Sequence, residues 1–191
     1  MTFKEFYLSE EVNYFYHGSA YKFDRFDINK VGTGNGLNKF GYGLYFTDSE
    51  SLAEYYASEN YKSKGTGLNI YKVKLYELEY FYPWEEECSE EIYSNVIRSL
   101  TDLGYEKDAN DMQEEYEEYG DRWPIRSLYE WLASVFGSSK EVTKFLYKNG
   151  ISGVIADDID DRGKIYVAFS DRIIKIVDTY KVGERQEDDD F

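Results

Sequence analysis

The sequence predicts an α+β fold in a single domain, and two observations support this class. Stretches of alternating apolar and polar residues lie towards both ends of the chain, whereas segments with helical periodicity lie between them. The chain has 191 residues, of which 42% are hydrophobic, so it can bury one sizeable core. We expect one domain over residues 1–181, followed by an acidic tail without fixed structure over 182–191.

The first half of the chain combines short strands with a glycine-rich loop. Residues 12–17 alternate as a strand does, and the stretch VGTGNGLNKFGYGLYF leads into a second short strand over 43–46. A helix is predicted from Asp48 onward, with Asp48 as its N-cap. Residues 68–81 alternate most strongly and predict the longest strand.

The second half begins with helices and ends with strands. Apolar residues at helical spacing predict an amphipathic helix over 89–103 and a weaker one over 108–119. Pro124 suits the first position of a third helix, and Ser138 with Glu141 has the spacing of a capping box for a fourth. Three short strands are expected after these helices: GVIAD, KIYVAF and RIIKIVD.

The charge of the chain is concentrated in one segment. The chain has 22 basic and 38 acidic residues, a net charge of −16, and residues 76–121 hold 16 of the acids but only Arg98 and Lys107 as bases. We interpret 76–121 as an acidic helical elaboration between strands. It is either a solvated face or a docking surface for a basic target. Such a charge disfavours direct binding of nucleic acid.

Cysteine and hydropathy indicate the compartment. Cys88 is the only cysteine, which excludes an internal disulfide framework and fits a reducing environment. The N-terminal residues lack the basic and then apolar pattern of a secretion signal, and no apolar run approaches the length of a membrane span. We therefore expect a cytoplasmic protein that contacts no membrane.

His17 is the only histidine, and the usual histidine chemistries do not fit it. No Gly-x-Ser-x-Gly elbow is present, and Cys88 lies among glutamates that would raise the pKa of its thiol. One histidine and one cysteine are too few for a typical metal site. The glycine-rich loop lacks the Gly-Lys-Ser/Thr of a phosphate loop and is not followed by a helix. Taken alone, His17 fits a buried core residue.

Three motifs in a fixed order change this interpretation of His17. His-Gly-Ser ends the first strand, FGYGLYFTDSESLAEYY spans residues 40–56, and GKIYVAFSDRIIKI spans 163–176. This set resembles the ADP-ribosyltransferase superfamily on the side of poly(ADP-ribose) polymerases and diphtheria toxin, and particularly the small transferase domains of phage and mobile-element polyvalent proteins. The resemblance covers most of residues 13–178 and implies split β-sheets around an NAD cleft. The toxin class with a first-strand arginine and a Ser-Thr-Ser strand fits poorly, because His17 stands in the place of that arginine.

The resemblance implies how the first motif would bind NAD⁺. His17 would hydrogen-bond a ribose hydroxyl, since a neutral imidazole offers one donor and one acceptor. Gly18 would offer its backbone to the nicotinamide amide, and Ser19 would contact the adenosine side. Gly34, in the glycine-rich loop over 32–36, would approach the adenosine or the pyrophosphate, where backbone N–H groups can bind phosphate oxygens. A plain turn is the alternative for that loop.

Two aromatic rings are implied on either side of nicotinamide. Tyr45 matches the tyrosine whose ring faces the nicotinamide. Tyr55, in Ala-x-Tyr, matches the tyrosine that stacks on the other side, with Tyr56 as its neighbour shifted by one residue. Flat rings hold a flat heterocycle at little cost in conformational entropy.

The third motif departs from the pattern of the polymerases. They have a glutamate where this chain has Ile165, and an isoleucine can neither bond a ribose hydroxyl nor polarise an acceptor. This departure predicts transfer of single ADP-ribose units. The acids Asp157, Asp158, Asp160 and Asp161 come just before that strand, and Asp161 is our candidate for a surrogate acid. Loop acids usually face solvent or form turns, which is the alternative.

The sequence therefore predicts an NAD⁺-dependent mono-ADP-ribosyltransferase, a glycosyltransferase that moves a pentosyl group. NAD⁺ is expected as a substrate, a protein with a basic surface as the target, and no metal. The resemblance suggests a phage or mobile-element effector, a toxin or a defence inhibitor. The alternative is an acidic interaction protein or nucleic-acid mimic that blocks a basic partner and has weak or no catalysis.

Overall fold

The computed structural model of the chain describes residues 14–32, 38–64, 68–119, 123–158 and 160–182, without the side chains of 59–64 and 119. Within these residues the chain forms seven strands and five α-helices. The strands are β1 Phe15–Ser19, β2 Leu44–Thr47, β3 Asn69–Leu75, β4 Phe81–Pro83, β5 Gly153–Asp157, β6 Lys164–Ala168 and β7 Ile174–Lys181. The helices are α1 Glu50–Lys64, α2 Glu90–Asp102, α3 Glu106–Tyr119, α4 Ile125–Phe136 and α5 Ser139–Lys148.

The strands form a mixed sheet with a weak seam. Their order is β4-β5-β6-β2-β1-β3-β7, and β4 and β5 form its parallel pair. Adjacent antiparallel strands pair along their length on both sides of the seam, but β1 and β2 meet only at Tyr16 and Thr47. The sheet thus has two parts, β4-β5-β6-β2 and β1-β3-β7, and one paired position joins them between β1 and β2. The predicted α+β class is confirmed.

The two faces of the sheet bury different cores. Along β6, Ile165 and Val167 join a core formed with α2, α4 and α5, while Tyr166 and Ala168 join an aromatic core. The aromatic core is closed by Phe26 from the segment after β1. This alternation is what a strand buried on both faces requires, because successive side chains point to opposite sides.

Two predictions about the first half of the chain are wrong in detail. Helix α1 begins after Ser49, whose hydroxyl accepts from the amide of Leu52, so Asp48 is not the N-cap. The carboxylate of Asp48 instead accepts from the amide of Lys164. The strand predicted over 68–81 is broken at Glu77, which has a left-handed backbone with φ of 60°.

The predicted helices of the second half are confirmed, with one shift. Ser89 caps α2 and Ser138 caps α5, each hydroxyl accepting an amide hydrogen bond three residues on. Pro124 is the N-cap of α4 and not its first residue. Helices α2 and α3 pack together, and the hydroxyl of Tyr93 donates to the carbonyl of Met112. The acidic tail predicted over 182–191 lies outside the described residues except for Val182.

Candidate functional site

The seam in the sheet places His17 against the backbone of β2. Its Nδ1 lies 2.8 Å from the carbonyl oxygen of Tyr45. Because a carbonyl oxygen can only accept, Nδ1 carries a proton, and Nε2 of the neutral ring is an acceptor. No hydrogen bond to Nε2 occurs within the described residues. Nε2 of His17 can thus accept the hydrogen bond that is expected from a ribose hydroxyl.

Aromatic rings surround the imidazole of His17. The ring centroids of Phe26, Phe46 and Tyr71 lie 5.2, 5.8 and 6.2 Å from that of His17. Burial among these rings lowers the pKa of His17, and this effect outweighs the hydrogen bond to Tyr45, which acts in the opposite direction. His17 is therefore a neutral hydrogen-bonding group at pH 7 and not a cation.

A fall in pH through 6.5 is expected to destabilise the fold through His17. Because its folded-state pKa lies below its ordinary value of 6.5, the unfolded chain binds the proton first. Stability that is complete above pH 6.5 is then lost as the pH falls towards the folded-state pKa, by up to about 1.4 kcal/mol per pH unit. Urea unfolding at three pH values across this range should show a smaller loss for His17→Phe, which cannot titrate. Equal losses in both proteins would contradict the prediction.

Gly18 and Ser19 have local structural roles beside their expected ones. A Cβ at Gly18 would lie 1.9 Å from the carbonyl oxygen of Ala53, so helix α1 packs directly on the glycine. The hydroxyl of Ser19 accepts from the amide of Tyr21 at 3.1 Å. The need for glycine at position 18 is thus explained by helix packing as well as by the expected approach of a ligand.

The hydroxyl of Tyr45 is held by the turn before β2. It donates to the carbonyl of Gly41 at 2.8 Å and accepts from the amide of Phe40 at 3.0 Å. Burial raises the pKa of the phenol, so the side chain is neutral. The ring packs against the core that contains Leu52 of α1. Tyr45 is therefore fixed in one orientation.

Tyr55 and Tyr56 lie on α1 and face the turn between β5 and β6. The Tyr55 side chain is 45% exposed, and the guanidinium carbon of Arg162 lies 4.2 Å from the centre of its ring. The hydroxyl of Tyr56 donates to Oδ1 of Asp158 at 3.0 Å. Burial and this hydrogen bond raise the pKa of Tyr56 to about 12. Tyr56 is also exposed, to 39%, but its hydroxyl is bound to Asp158, so Tyr55 is the better candidate for stacking.

Ile165, which stands in the place of the polymerase glutamate, and the acids proposed to replace that glutamate differ sharply in burial. Ile165 is 5% exposed and packs in the core that contains α2, α4 and α5. Asp161 is exposed at the tip of the β5–β6 turn, with a left-handed φ of 53°. Asp158 is buried, and hydrogen bonds from Arg162 and Tyr56 lower its pKa against the opposing effect of burial. The carboxylate that contacts α1 is thus that of Asp158, which lies three residues before the candidate acid Asp161.

Sequence reasoning did not identify Arg162 as part of the site. Its only signal is that it is the one basic residue directly after the acidic run that ends at Asp161. The expected loop contact of Gly34 lies outside the described residues. Of the other candidates, His17, Gly18, Ser19 and Tyr45 lie at the seam, Tyr55 and Tyr56 on α1, Ile165 on β6, and Asp161 in the turn before β6.

A cavity of about 640 Å³ opens close to the aromatic core. Its lining includes Phe26, which also contacts the ring of His17, together with Asp27, Asp171 and Lys175. The carboxylate of Asp171 accepts from the amide of Ile28 and holds the segment after β1 in place. This cavity adjoins the His17 side of the sheet, whereas Tyr45 packs against the opposite core.

The acidic segment forms a strongly charged surface. Every acidic residue of 76–121 that the structure describes is exposed, except Asp108, which is half-buried. The apolar side chains of the same helices point inward, among them Val96, Leu100 and Met112. Packing thus uses one side of α2 and α3 and leaves the acids in solvent.

Metal clusters and membrane helices are both absent from the part of the chain that the structure describes. In that part of the chain no three histidine, cysteine, aspartate or glutamate side chains lie together as a metal site would require. None of its helices has the length and apolar character that crossing a bilayer demands.

Comparison with known proteins identifies the family. A family model described as ADP-ribosyltransferase in polyvalent proteins matches residues 11–182, which include all three sequence motifs. Neither the curated proteins nor the solved structures contain a match to the chain. Because this match covers most of the chain, we conclude that the chain belongs to the ADP-ribosyltransferase family of polyvalent proteins.

Proposed function

We propose that this chain is an NAD⁺-dependent mono-ADP-ribosyltransferase that modifies a protein. The observation that carries the proposal is the bond of 2.8 Å between Nδ1 of His17 and the carbonyl of Tyr45. This bond fixes the ring and its tautomer, so Nε2 can accept a hydrogen bond from a ribose hydroxyl. The family match supports the transferase class.

In the proposed reaction the bond between nicotinamide and ribose breaks, and nicotinamide leaves with the bonding electron pair. Positive charge develops on the ribose, and a nucleophile of the target forms the new bond and releases its proton to solvent. The chain has to hold NAD⁺ in a reactive pose. In the proposed pose NAD⁺ spans the seam, because His17 lies on the face with the aromatic core and the ring of Tyr45 lies on the opposite face. Asp161 remains our candidate for a surrogate acid near the acceptor.

We expect each modified site to receive one ADP-ribose. Ile165 is buried among apolar side chains, so no acid at this position can orient a growing polymer. Ile165→Glu should not convert the enzyme into a polymerase, because the buried carboxyl would take up a proton or destabilise the core. Intact-mass analysis of modified target should show single ADP-ribose increments for the wild type. Ladders of longer products would contradict this expectation.

The acidic surface favours a target with basic character, and it also supports the second candidate function. Exposed carboxylates on α2 and α3 attract positively charged proteins at low ionic strength. In the second candidate the chain blocks such a partner and does not modify it. The match to transferases of polyvalent proteins supports a phage or mobile-element effector, toxin or defence inhibitor as the biological setting.

Incubation with labelled NAD⁺ and host lysate separates the two functions. The wild type should transfer label to protein, and Tyr45→Ala should transfer far less. Salt-sensitive capture of a basic partner by both proteins, without any transfer of label, would favour the interaction protein and overturn the transferase proposal.

A further inference from the structure

The turn between β5 and β6 is built around one buried carboxylate. The side chain of Asp158 is 2% exposed, and its Oδ2 accepts from Nε of Arg162 at 3.0 Å and from the amide of Asp160 at 3.3 Å. The carbonyl of Asp158 also accepts from the amide of Asp161. Asp158 therefore holds the backbone of Asp160 and Asp161 and the direction of the Arg162 side chain.

The same turn is hydrogen-bonded to helix α1 and to the segment just before that helix. The hydroxyl of Tyr56 donates to the second oxygen of Asp158, and Asp48 accepts from the amide of Lys164 at 2.9 Å. A Cβ at Gly163 would lie 2.9 Å from that Asp48 carboxylate and 3.0 Å from Cβ of Ser49, so a larger residue would require one of them to shift. The turn and α1 are thus held as one unit.

Arg162 completes this unit by covering one face of the Tyr55 ring. Its guanidinium lies 4.2 Å from the ring centre and is also paired with Asp160 at 3.1 Å. The ring of Tyr56 contacts Tyr55 edge-on, with centroids 5.7 Å apart. Tyr55 is held on two sides yet stays 45% exposed, so one part of the ring remains available to a ligand.

We propose that Asp158 and Arg162 are positioning residues that hold the Tyr55 ring ready to stack on the nicotinamide ring of NAD⁺. Asp158 acts through Arg162, and Arg162 acts through Tyr55. The inference rests on the proposed function, because nicotinamide is taken as the ligand of Tyr55. Its physical basis is that a ring fixed before binding loses less conformational entropy on binding.

Arg162→Gln should raise KM for NAD⁺ by about threefold to tenfold and change kcat by less than about twofold. A higher KM with a nearly unchanged kcat is expected because an ordered stacking ring contributes equally to binding in the ground state and in the transition state. A merely structural defect would lower the active fraction, and hence kcat, and leave KM unchanged. Arg162→Lys should give an intermediate KM, since lysine keeps the charge but lacks the planar guanidinium.

Arg126→Gln is the matched control. Arg126 is an exposed arginine paired with Glu85 at 3.6 Å, so this variant loses the same charge and one ion pair away from Tyr55. Its KM should equal that of the wild type. If the KM of Arg162→Gln does not exceed that of this control, the proposal is overturned.

Asp158→Ala tests the order of action. The KM of the double variant D158A/R162Q should match that of Arg162→Gln alone, because in this proposal Asp158 orients Tyr55 through Arg162 and not through the hydrogen bond from Tyr56. If the fold increases in KM of the two single variants multiply in the double variant, Asp158 contributes by another route, and this part of the proposal is overturned. Thermal unfolding identifies the temperature range in which all variants are folded.

A binding measurement separates this inference from the proposed function. Free nicotinamide is added to protein with labelled tyrosine rings, and the ring signals of Tyr55 are followed by NMR. A Kd that is about threefold to tenfold weaker in Arg162→Gln supports the inference even if the wild type transfers nothing. Unchanged affinity overturns the inference even if the wild type is an active transferase.

Discussion

His17→Ala is expected to reduce the rate of ADP-ribose transfer by at least about a hundredfold. The substitution removes both the acceptor Nε2 and the Nδ1 donor that bonds the carbonyl of Tyr45. Without them the ribose loses its hydrogen-bond partner, and β1 and β2 lose a link across the seam. Initial rates with labelled NAD⁺, measured at equal concentrations of folded protein, test this expectation.

His17→Phe is the control for the loss of packing. Alanine leaves a space among Phe26, Phe46 and Tyr71, whereas phenylalanine fills it and makes neither hydrogen bond. Both variants should lose activity to a similar degree. Retention of wild-type rates by His17→Phe would show that His17 acts only as a core ring, and this would remove the basis of the proposed ribose contact.

Gly18→Ala is expected to have the largest effect on stability of the variants considered. The new methyl carbon would lie 1.9 Å from the carbonyl oxygen of Ala53 and 2.7 Å from the amide nitrogen of Ala57. Both atoms belong to the backbone of α1, so the whole helix must shift. We expect a loss of at least about 3 kcal/mol, which lowers Tm by roughly 6–12 °C in a chain of this size.

Gly137→Ala provides the comparison for Gly18→Ala. Gly137 has a φ of 64°, and a Cβ there would meet no atom within 4 Å. Its cost is therefore limited to backbone strain, about 1 kcal/mol. Circular dichroism melts of the two variants should differ clearly. Similar Tm values would mean that α1 can move away from β1 at little cost, contrary to the packing of the helix on the strand.

The sequence allowed the helices and most strands to be predicted because their signals are local. Serine caps and alternating apolar residues lie next to the elements that they define. The cap of α1 was misplaced because Asp48 and Ser49 are adjacent and both suit an N-cap. Ser49 is the cap because the carboxylate of Asp48 instead accepts a hydrogen bond from the amide of Lys164, which lies far along the chain.

Glu77 shows a different reason for error. Its left-handed backbone divides the alternating stretch 68–81, yet glutamate has no special preference for this conformation. The carboxylate of Glu77 accepts from the hydroxyl of Ser152, which lies far along the chain. A turn stabilised from outside leaves no local signal in the sequence.

The residues of the candidate site stay a prediction from the sequence, and the structure adds contacts that the sequence did not indicate. His17, Tyr45 and Tyr55 followed from motifs with a fixed succession along the chain. The contact between Arg162 and Tyr55 joins positions far apart in sequence, and only folding brings them together. Position 165 is an isoleucine by sequence, but its burial in the core with α2, α4 and α5 could not be deduced from one chain.

The pairing of β2 determines when the site can form during synthesis. Strand β2 pairs along its length with β6, from Leu44 opposite Ala168 to Thr47 opposite Ile165, and meets β1 at one point only. Until β6 has emerged from the ribosome, β2 lacks the strand with which it pairs along its length. We therefore expect a nascent chain that already contains His17 and Tyr45 to gain transferase activity only after the C-terminal strands have emerged.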